Sequence, residues 1–264
     1  MRWIGGKQRY ADVVAGYLRT VVMDGGRYFE PFVGGASIFF ALRPEAAVLG
    51  DSNSDLIEFY NQLEVRPLEL WSAVNELAQD VTTEVYYQAR NEFNSGCDGL
   101  RRAALFLFLN RTGFNGIWRV NRSGHYNVPF GDRGLALCDL ETWLSFAGCL
   151  SRATLVCEDY PITLKKVRAG DAVYLDPPYF VSTGRELFTR YTHAGFSRAD
   201  HLSLSKEMDR LTGLGARVVL TIREDPFIME LYRDYKIDSA GVKNCVNARG
   251  GHSRVVDLTI RNFD

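Results

Sequence analysis

The sequence predicts an α/β fold: a doubly wound sheet that carries one large, mostly helical insertion. Three observations predict it. Short apolar runs of strand length recur near both ends of the chain, and several close on an acid or a proline turn. A glycine-bearing turn separates the first such run from a helical segment. Between the two strand-rich parts, residues 67–110 keep the apolar spacing of helices.

Each element follows in order. Residues 7–22 place Val13, Val14, Tyr17, Leu18 and Val21 on one helical face. Residues 27–30 form a short strand that ends in Pro31-Phe32-Val33-Gly34-Gly35, and residues 36–42 return to helix. A second strand at 46–50 is closed by Asp51, after which Asn53 or Ser54 caps a helix running toward Leu63. Strand, glycine turn, helix, strand and acid are the opening of a doubly wound nucleotide-binding fold. The run 103–109 is apolar all round and reads as a buried helix. Residues 111–133 change to Gly, Asn, Arg and aromatics without a period, the texture of a functional loop. Strands are expected again at 153–157, 171–175 and 217–221, with a helix at 197–214 capped by Ser197. Two more strands, 235–242 and 254–260, flank a loop at 247–251. The division expected is a discontinuous domain, 1–60 plus 145–264, with 61–144 inserted.

Composition narrows the function classes. The chain has 264 residues, a net charge of −1 and 46% hydrophobic residues, so one sizeable soluble domain with an insertion is expected. There is no long apolar span and no signal-peptide pattern, which points to the cytoplasm or nucleoid. Five cysteines without a Cys-x-x-Cys pair read as scattered reduced thiols rather than a zinc site. His125, His193, His201 and His252 lack metal spacing and are expected on the surface or in loops; no metal is expected. Six arginines against one acid, Asp132, lie between 101 and 133. Such a patch suits phosphates, although Arg101 and Arg102 equally suit the solvated face of a helix.

The strongest chemical signal is Asp176-Pro177-Pro178-Tyr179, directly after an apolar strand. Ligands in open α/β sheets sit outside the carboxyl ends of strands. Successive prolines remove two N–H donors and stiffen the chain, leaving the Pro177 carbonyl to point at substrate. A carboxylate and a carbonyl side by side accept both hydrogens of an –NH2 group, and Tyr179 offers a face on which a planar base stacks. The second signal is the turn at Phe32, Gly34 and Gly35. There the backbone can approach a ligand closely and the following helix can offer N–H groups to a carboxylate. Asp51 follows 17 residues after Gly34, near the spacing at which an acid meets ribose hydroxyls. The Gly-x-Gly-x-x-Gly fingerprint of nicotinamide enzymes is absent.

Four motifs together resemble the Dam-type DNA N6-adenine methyltransferases, across nearly the whole chain and in that family's order. They are Trp3-Ile4-Gly5-Gly6-Lys7, Glu30-Pro31-Phe32-Val33-Gly34-Gly35-Ala36-Ser37, Asp51-Ser52-Asn53-Ser54-Asp55-Leu56 and the recognition stretch 110–121 with 126–131; Asp176-Pro177-Pro178-Tyr179 follows them as the catalytic motif. The resemblance implies a Rossmann-like methyltransferase sheet with an inserted, mostly helical DNA-recognition domain, S-adenosylmethionine as cofactor, double-stranded DNA as partner and a monomer in solution. It implies that Trp3 and Lys7 contact the cofactor from the N-terminal side. Phe32, Gly34 and Gly35 border its methionine part, Asp51 binds the ribose, and Asp159 with Tyr160 sits by its adenine. Asp176, Pro177, Pro178 and Tyr179 grip a flipped target adenine, and Asp176 also borders the cofactor. Phe114 and Asn115 enter the duplex; Ile117, Arg119 and Pro129 read bases, Arg119 reading guanine; Arg111 and Asn121 lie at the DNA in the same loop. GATC is the expected site.

Three departures from the family pattern stand out. Ala36 replaces a glycine, tolerable where the backbone is helical. Asp132 replaces a basic residue. Thr221-Ile222-Arg223 replaces a Ser-Asn pair and is expected to tune the edge of the site. Other readings are methylation of cytosine N4 or a glutamine side chain, and a non-catalytic DNA-binding relative.

Overall fold

The computed structural model describes residues 10–132, 134–178, 196–246 and 252–264. Among them, seven strands form one sheet: β1 (Tyr28–Glu30), β2 (Ala47–Asp51), β3 (Ala153–Cys157), β4 (Ala172–Leu175), β5 (Arg217–Arg223), β6 (Lys236–Val246) and β7 (His252–Arg261). Their spatial order is β3-β2-β1-β4-β5-β7-β6. The five strands β1 to β5 are parallel, and β7 runs antiparallel between β5 and β6. Strand order reverses between β1 and β4. That reversal opens a crevice at their carboxyl ends, the place where open α/β sheets bind ligands.

β4 and the middles of β2 and β5 read as apolar runs because helices cover both faces of the sheet there. With side chains alternating along each strand, Tyr28, Leu49, Ala172, Tyr174 and Val219 pack toward α1 (Ala11–Met23), α2 (Ser37–Leu42) and α3 (Ser54–Val65). Phe29, Val173, Leu175, Val218, Leu220 and Ile222 face α8 (Tyr160–Leu164), α9 (Arg198–Leu214) and α10 (Pro226–Leu231). The expected Rossmann-like sheet is therefore present. No helix among the described residues is long and apolar enough to cross a membrane.

The insertion contributes α4 (Pro67–Ala78), α5 (Thr83–Gly96) and α6 (Gly99–Thr112), followed after a loop by α7 (Leu140–Leu150). α6 is buried from Ala103 to Leu109, because α3, α4 and α5 surround it. One apolar cluster runs from the sheet through α3 into these helices, and α7 crosses position 145 while packing on α3 and α4. Arg101 and Arg102 are spent on structure. Arg101 pairs with Glu92, and Arg102 pairs with Asp55 and lies over the Phe93 ring.

Two expectations are corrected. Ala36 is not helical: its φ of 52° is left-handed, and α2 begins one residue later at Ser37. The position needs a junction residue between turn and helix, which is why a glycine fits the family pattern; alanine carries about 1–2 kcal/mol of strain there. His201 is not at the surface but fully buried on the inner face of α9. Ser197 and Asp200 make a capping box at that helix start, and Phe196 packs on His201 with ring centroids 4.6 Å apart. The pair is the hydrophobic staple that accompanies such a box. Burial pushes the imidazole down to about 4, so it is neutral at physiological pH.

Candidate active site

Asp176 stands half-buried at the carboxyl end of β4, beside the reversal of strand order. Thr221, fully buried on β5, donates to its Oδ1 across 3.1 Å. Behind Thr221, Tyr174 Oη lies 2.7 Å from the same hydroxyl. On the neighbouring strand Tyr28 donates to Glu30 at 3.0 Å, both side chains being buried. Burial holds the Glu30 carboxyl well above the usual range, and nearby Asp176 and Asp51 push it further against the Tyr28 hydrogen bond. Burial thus favours the protonated form of Glu30 beside Asp176, a role that its place in the glycine motif did not announce.

Across the crevice, the turn after β1 and the end of β2 are tied together. Gly34, at a φ of 43° that favours glycine, donates its N–H to Asp51 Oδ2 at 3.2 Å. The backbone N–H of Asn53 donates to Asp51 Oδ1 at 2.9 Å, while the Asn53 side chain caps α3. Tyr60 donates to the Gly34 carbonyl at 2.7 Å from below. Burial raises Asp51 to about 6 against those two backbone hydrogen bonds. An acid held this way gains when further donors reach it, as the two hydroxyls of a ribose do.

An aromatic wall closes the β3 side. Phe32 and Tyr160 stack with centroids 5.1 Å apart, and Phe196 lies 6.0 Å from each. Asp159 is exposed beside the wall and caps α8 through the Tyr160 N–H. Phe196 escaped sequence reading; its signal was a lone aromatic just before the Ser197 cap. Pro177 is buried and Pro178 partly so. Trp3, Lys7 and Tyr179 lie outside the described residues. Phe32, Gly34, Gly35, Asp51, Asp159, Asp176 and Pro177 thus lie at or just past the carboxyl ends of β1 to β4, where Tyr160 and Phe196 pack on Phe32, Thr221 bonds Asp176, and Glu30 ends β1.

The arginine-rich loop forms a second surface. Isolated bridges Gly113–Phe130 and Val120–Tyr126 hold it. Trp118 is buried between Phe106 and Tyr126 at 4.2 and 4.5 Å, and Asn94 clamps Tyr126 through its backbone in both directions. Gly131 lies so close to the Gly113 backbone that a Cβ would come within 2.8 Å of it. On this floor Phe114, Asn115, Arg119, Asn121 and Pro129 are exposed, Ile117 and Arg111 partly so. Asn115 has a left-handed φ of 55°, at the tip of a single 3-10 turn. Arg119 lies along Asn127, donating Nε to its Oδ1 at 2.8 Å. Asn127 is a further residue that sequence reading did not single out.

The whole chain is similar to known proteins. A family model described as D12 class N6 adenine-specific DNA methyltransferase matches residues 3–244. The Type II methyltransferase M1.LlaDCHI of Lactococcus lactis subsp. cremoris is 30% identical over 270 residues, covering 99% of this chain and 94% of that protein. The DNA adenine methylase of Salmonella typhi is 34% identical over 259 residues, covering 97% and 92%. The Type II methyltransferase M.MjaIII of Methanocaldococcus jannaschii is 30% identical over 283 residues, covering 100% and 98%.

Proposed function

Since the chain belongs to the D12 class N6 adenine-specific DNA methyltransferases, we propose that it methylates an adenine flipped out of a short duplex site, GATC or a close variant. The observation that carries this is Asp176, held by Thr221 at the strand-order reversal, one strand along from the β1 end that leads into the Gly34–Asp51 turn. S-adenosylmethionine, the methyl donor of this family, supplies an electrophilic methyl on a sulfonium. The residues present fit it: a glycine turn, a desolvated acid for the ribose, and the Phe32–Tyr160–Phe196 wall for a purine.

The protein's own part is positioning and electrostatics. The target base must leave the stack before its amino group can be reached. The Asp176 carboxylate and the Pro177 carbonyl accept the two N6 hydrogens, which makes the nitrogen lone pair available, and Tyr179 stacks on the ring. Trp3 and Lys7 flank the cofactor. Residues 1–60 and 145–264 act as the catalytic part; residues 61–144 present the recognition loop, with Phe114 and Asn115 at the vacated stack. Arg111 and Asn121 hold phosphates, and Ile117, Arg119 and Pro129 read base edges. The protein works as a monomer in the cytoplasm, on chromosomal or phage DNA.

The test is to express the protein in cells lacking adenine methylation and sequence their DNA by a single-molecule method. N6-methyladenine at one short motif is the expected result. Methyl groups on cytosine instead, or none on DNA although the purified protein binds the donor, would overturn the proposal.

A second prediction concerns pH. The folded state favours protonated Asp51, so its contribution to stability is present at low pH and is lost as pH rises through about 6. The hydroxyl donors of the ribose favour the ionised form. Cofactor affinity is therefore expected to rise between about pH 5 and pH 7 and then level off. Calorimetric titration across that window checks it. Asp51→Asn should bind more weakly and flatten the profile; an unchanged profile in that variant would remove Asp51 from the ribose.

A further inference from the structure

We infer that Thr221 is a positioning residue for Asp176, and that Tyr174, Thr221 and Asp176 form a one-way hydrogen-bond chain running from the core to the reactive carboxylate. The inference rests on the reading of Asp176 as the acceptor of the target amino group. Residues 174 and 176 share a face of β4 and its extension, and residues 219 and 221 share the matching face of β5, where Tyr174 is paired with Val219. The register thus sets Thr221 beside both Tyr174 and Asp176. Tyr174 is 1% exposed and Thr221 is 0% exposed, so neither hydroxyl exchanges its partner for water.

The direction of the chain follows from proton counting. A carboxylate only accepts, so the single Thr221 proton goes to Asp176 Oδ1 at 3.1 Å. The Thr221 oxygen must then accept from Tyr174 across their 2.7 Å contact. A polarised chain of this kind strengthens its terminal bond. It also fixes the rotation of the carboxylate, and with it the edge that Asp176 offers to the substrate. The cross-strand pair lies 45 residues apart in sequence. It joins the catalytic motif to the strand end at which this chain departs from its family pattern.

The experiment is single-turnover transfer of a labelled methyl group to plasmid DNA carrying the methylated motif, in the full-length protein. Thr221→Val keeps the shape and removes the hydroxyl; the transfer rate is expected to fall on the order of 10- to 100-fold, as for loss of a hydrogen bond to a charged group. Cofactor Kd and KM for DNA should stay within about twofold, because the chain acts on the reacting carboxylate alone. Thr221→Ser restores the hydroxyl and should recover most of the rate. Tyr174→Phe, which removes a neutral donor, should cost about 2- to 10-fold. An unchanged rate in Thr221→Val beside an inactive Asp176→Asn overturns the inference and leaves Asp176 in place. Equal losses in Thr221→Val and Thr221→Ser, with weakened cofactor binding, also overturn it by showing a packing role. An active Asp176→Asn removes both.

Discussion

Asp176→Asn is expected to lose at least about 1000-fold in methyl-transfer rate while still folding and still binding cofactor. The side chain keeps its size, and Thr221 can still donate to its remaining oxygen. On the proposed role, what changes is the group offered to the substrate: a carboxylate that accepts becomes an amide that presents N–H groups to N6 hydrogens, and the negative charge beside the developing positive nitrogen is gone. Loss of one preorganised electrostatic partner in a closed site costs about 100- to 1000-fold, and donor–donor repulsion adds to that. Stability should move the other way. Asp176 is one of the charges that push the buried Glu30 carboxyl upward, so neutralising it relieves the acidic cluster. A melting temperature equal to or above that of the parent, beside a lost rate, is the signature of a site that trades stability for function. More than about a tenth of the parental rate in this variant would sink the assignment of Asp176. A parallel loss of melting temperature and rate would mean that the carboxylate is structural.

The elements that sequence reading found are those whose burial is regular. The parallel strands are covered on both faces, so Ala172–Leu175 and Ala47–Asp51 print as continuous apolar runs. α6 is surrounded and prints as an apolar helix. The elements it missed are short or mixed. α8 has 5 residues, α10 buries only Ile228, and α7 interleaves Gly, Ser and Thr with its apolar face. In the site, Asp176, Asp51 and Gly34 were legible because their order along the chain carries the meaning. Phe196 was not singled out and Thr221 was placed only at the edge of the site, because each acts through a partner distant in sequence: Phe196 through Phe32, and Thr221 through Asp176 45 residues away. His201 was misplaced for a related reason. A polar ring reads as surface unless its staple partner Phe196 is seen beside it.

Arg119→Ala is expected to relax sequence choice more than it weakens binding. Trp118 is locked between Phe106 and Tyr126, so the residue after it leaves the floor at a fixed angle. Arg119 is exposed, yet its guanidinium is already held in plane by Asn127, through Nε at 2.8 Å and Nη2 to the Asn127 carbonyl at 3.4 Å. Such pre-ordering lowers the side-chain entropy lost on docking and leaves the free edge of the fork for a base. A bidentate arginine–guanine pair contributes about 1–3 kcal/mol of discrimination at one base pair. Arg119→Ala should therefore shrink the ratio of kcat/KM between the cognate site and a site changed at that base pair by roughly 5- to 150-fold. Arg122, exposed on the same loop, gives the contrast. If it meets phosphate, Arg122→Ala weakens all sites alike and lowers the slope of log affinity against log salt by about 1. Competition kinetics on oligonucleotides that differ at single positions separate the two. Equal losses on cognate and altered sites in Arg119→Ala would move that residue to the backbone and leave base reading to Ile117 and Pro129. A preserved ratio in Asn127→Ala would show that the fork needs no second residue to hold it.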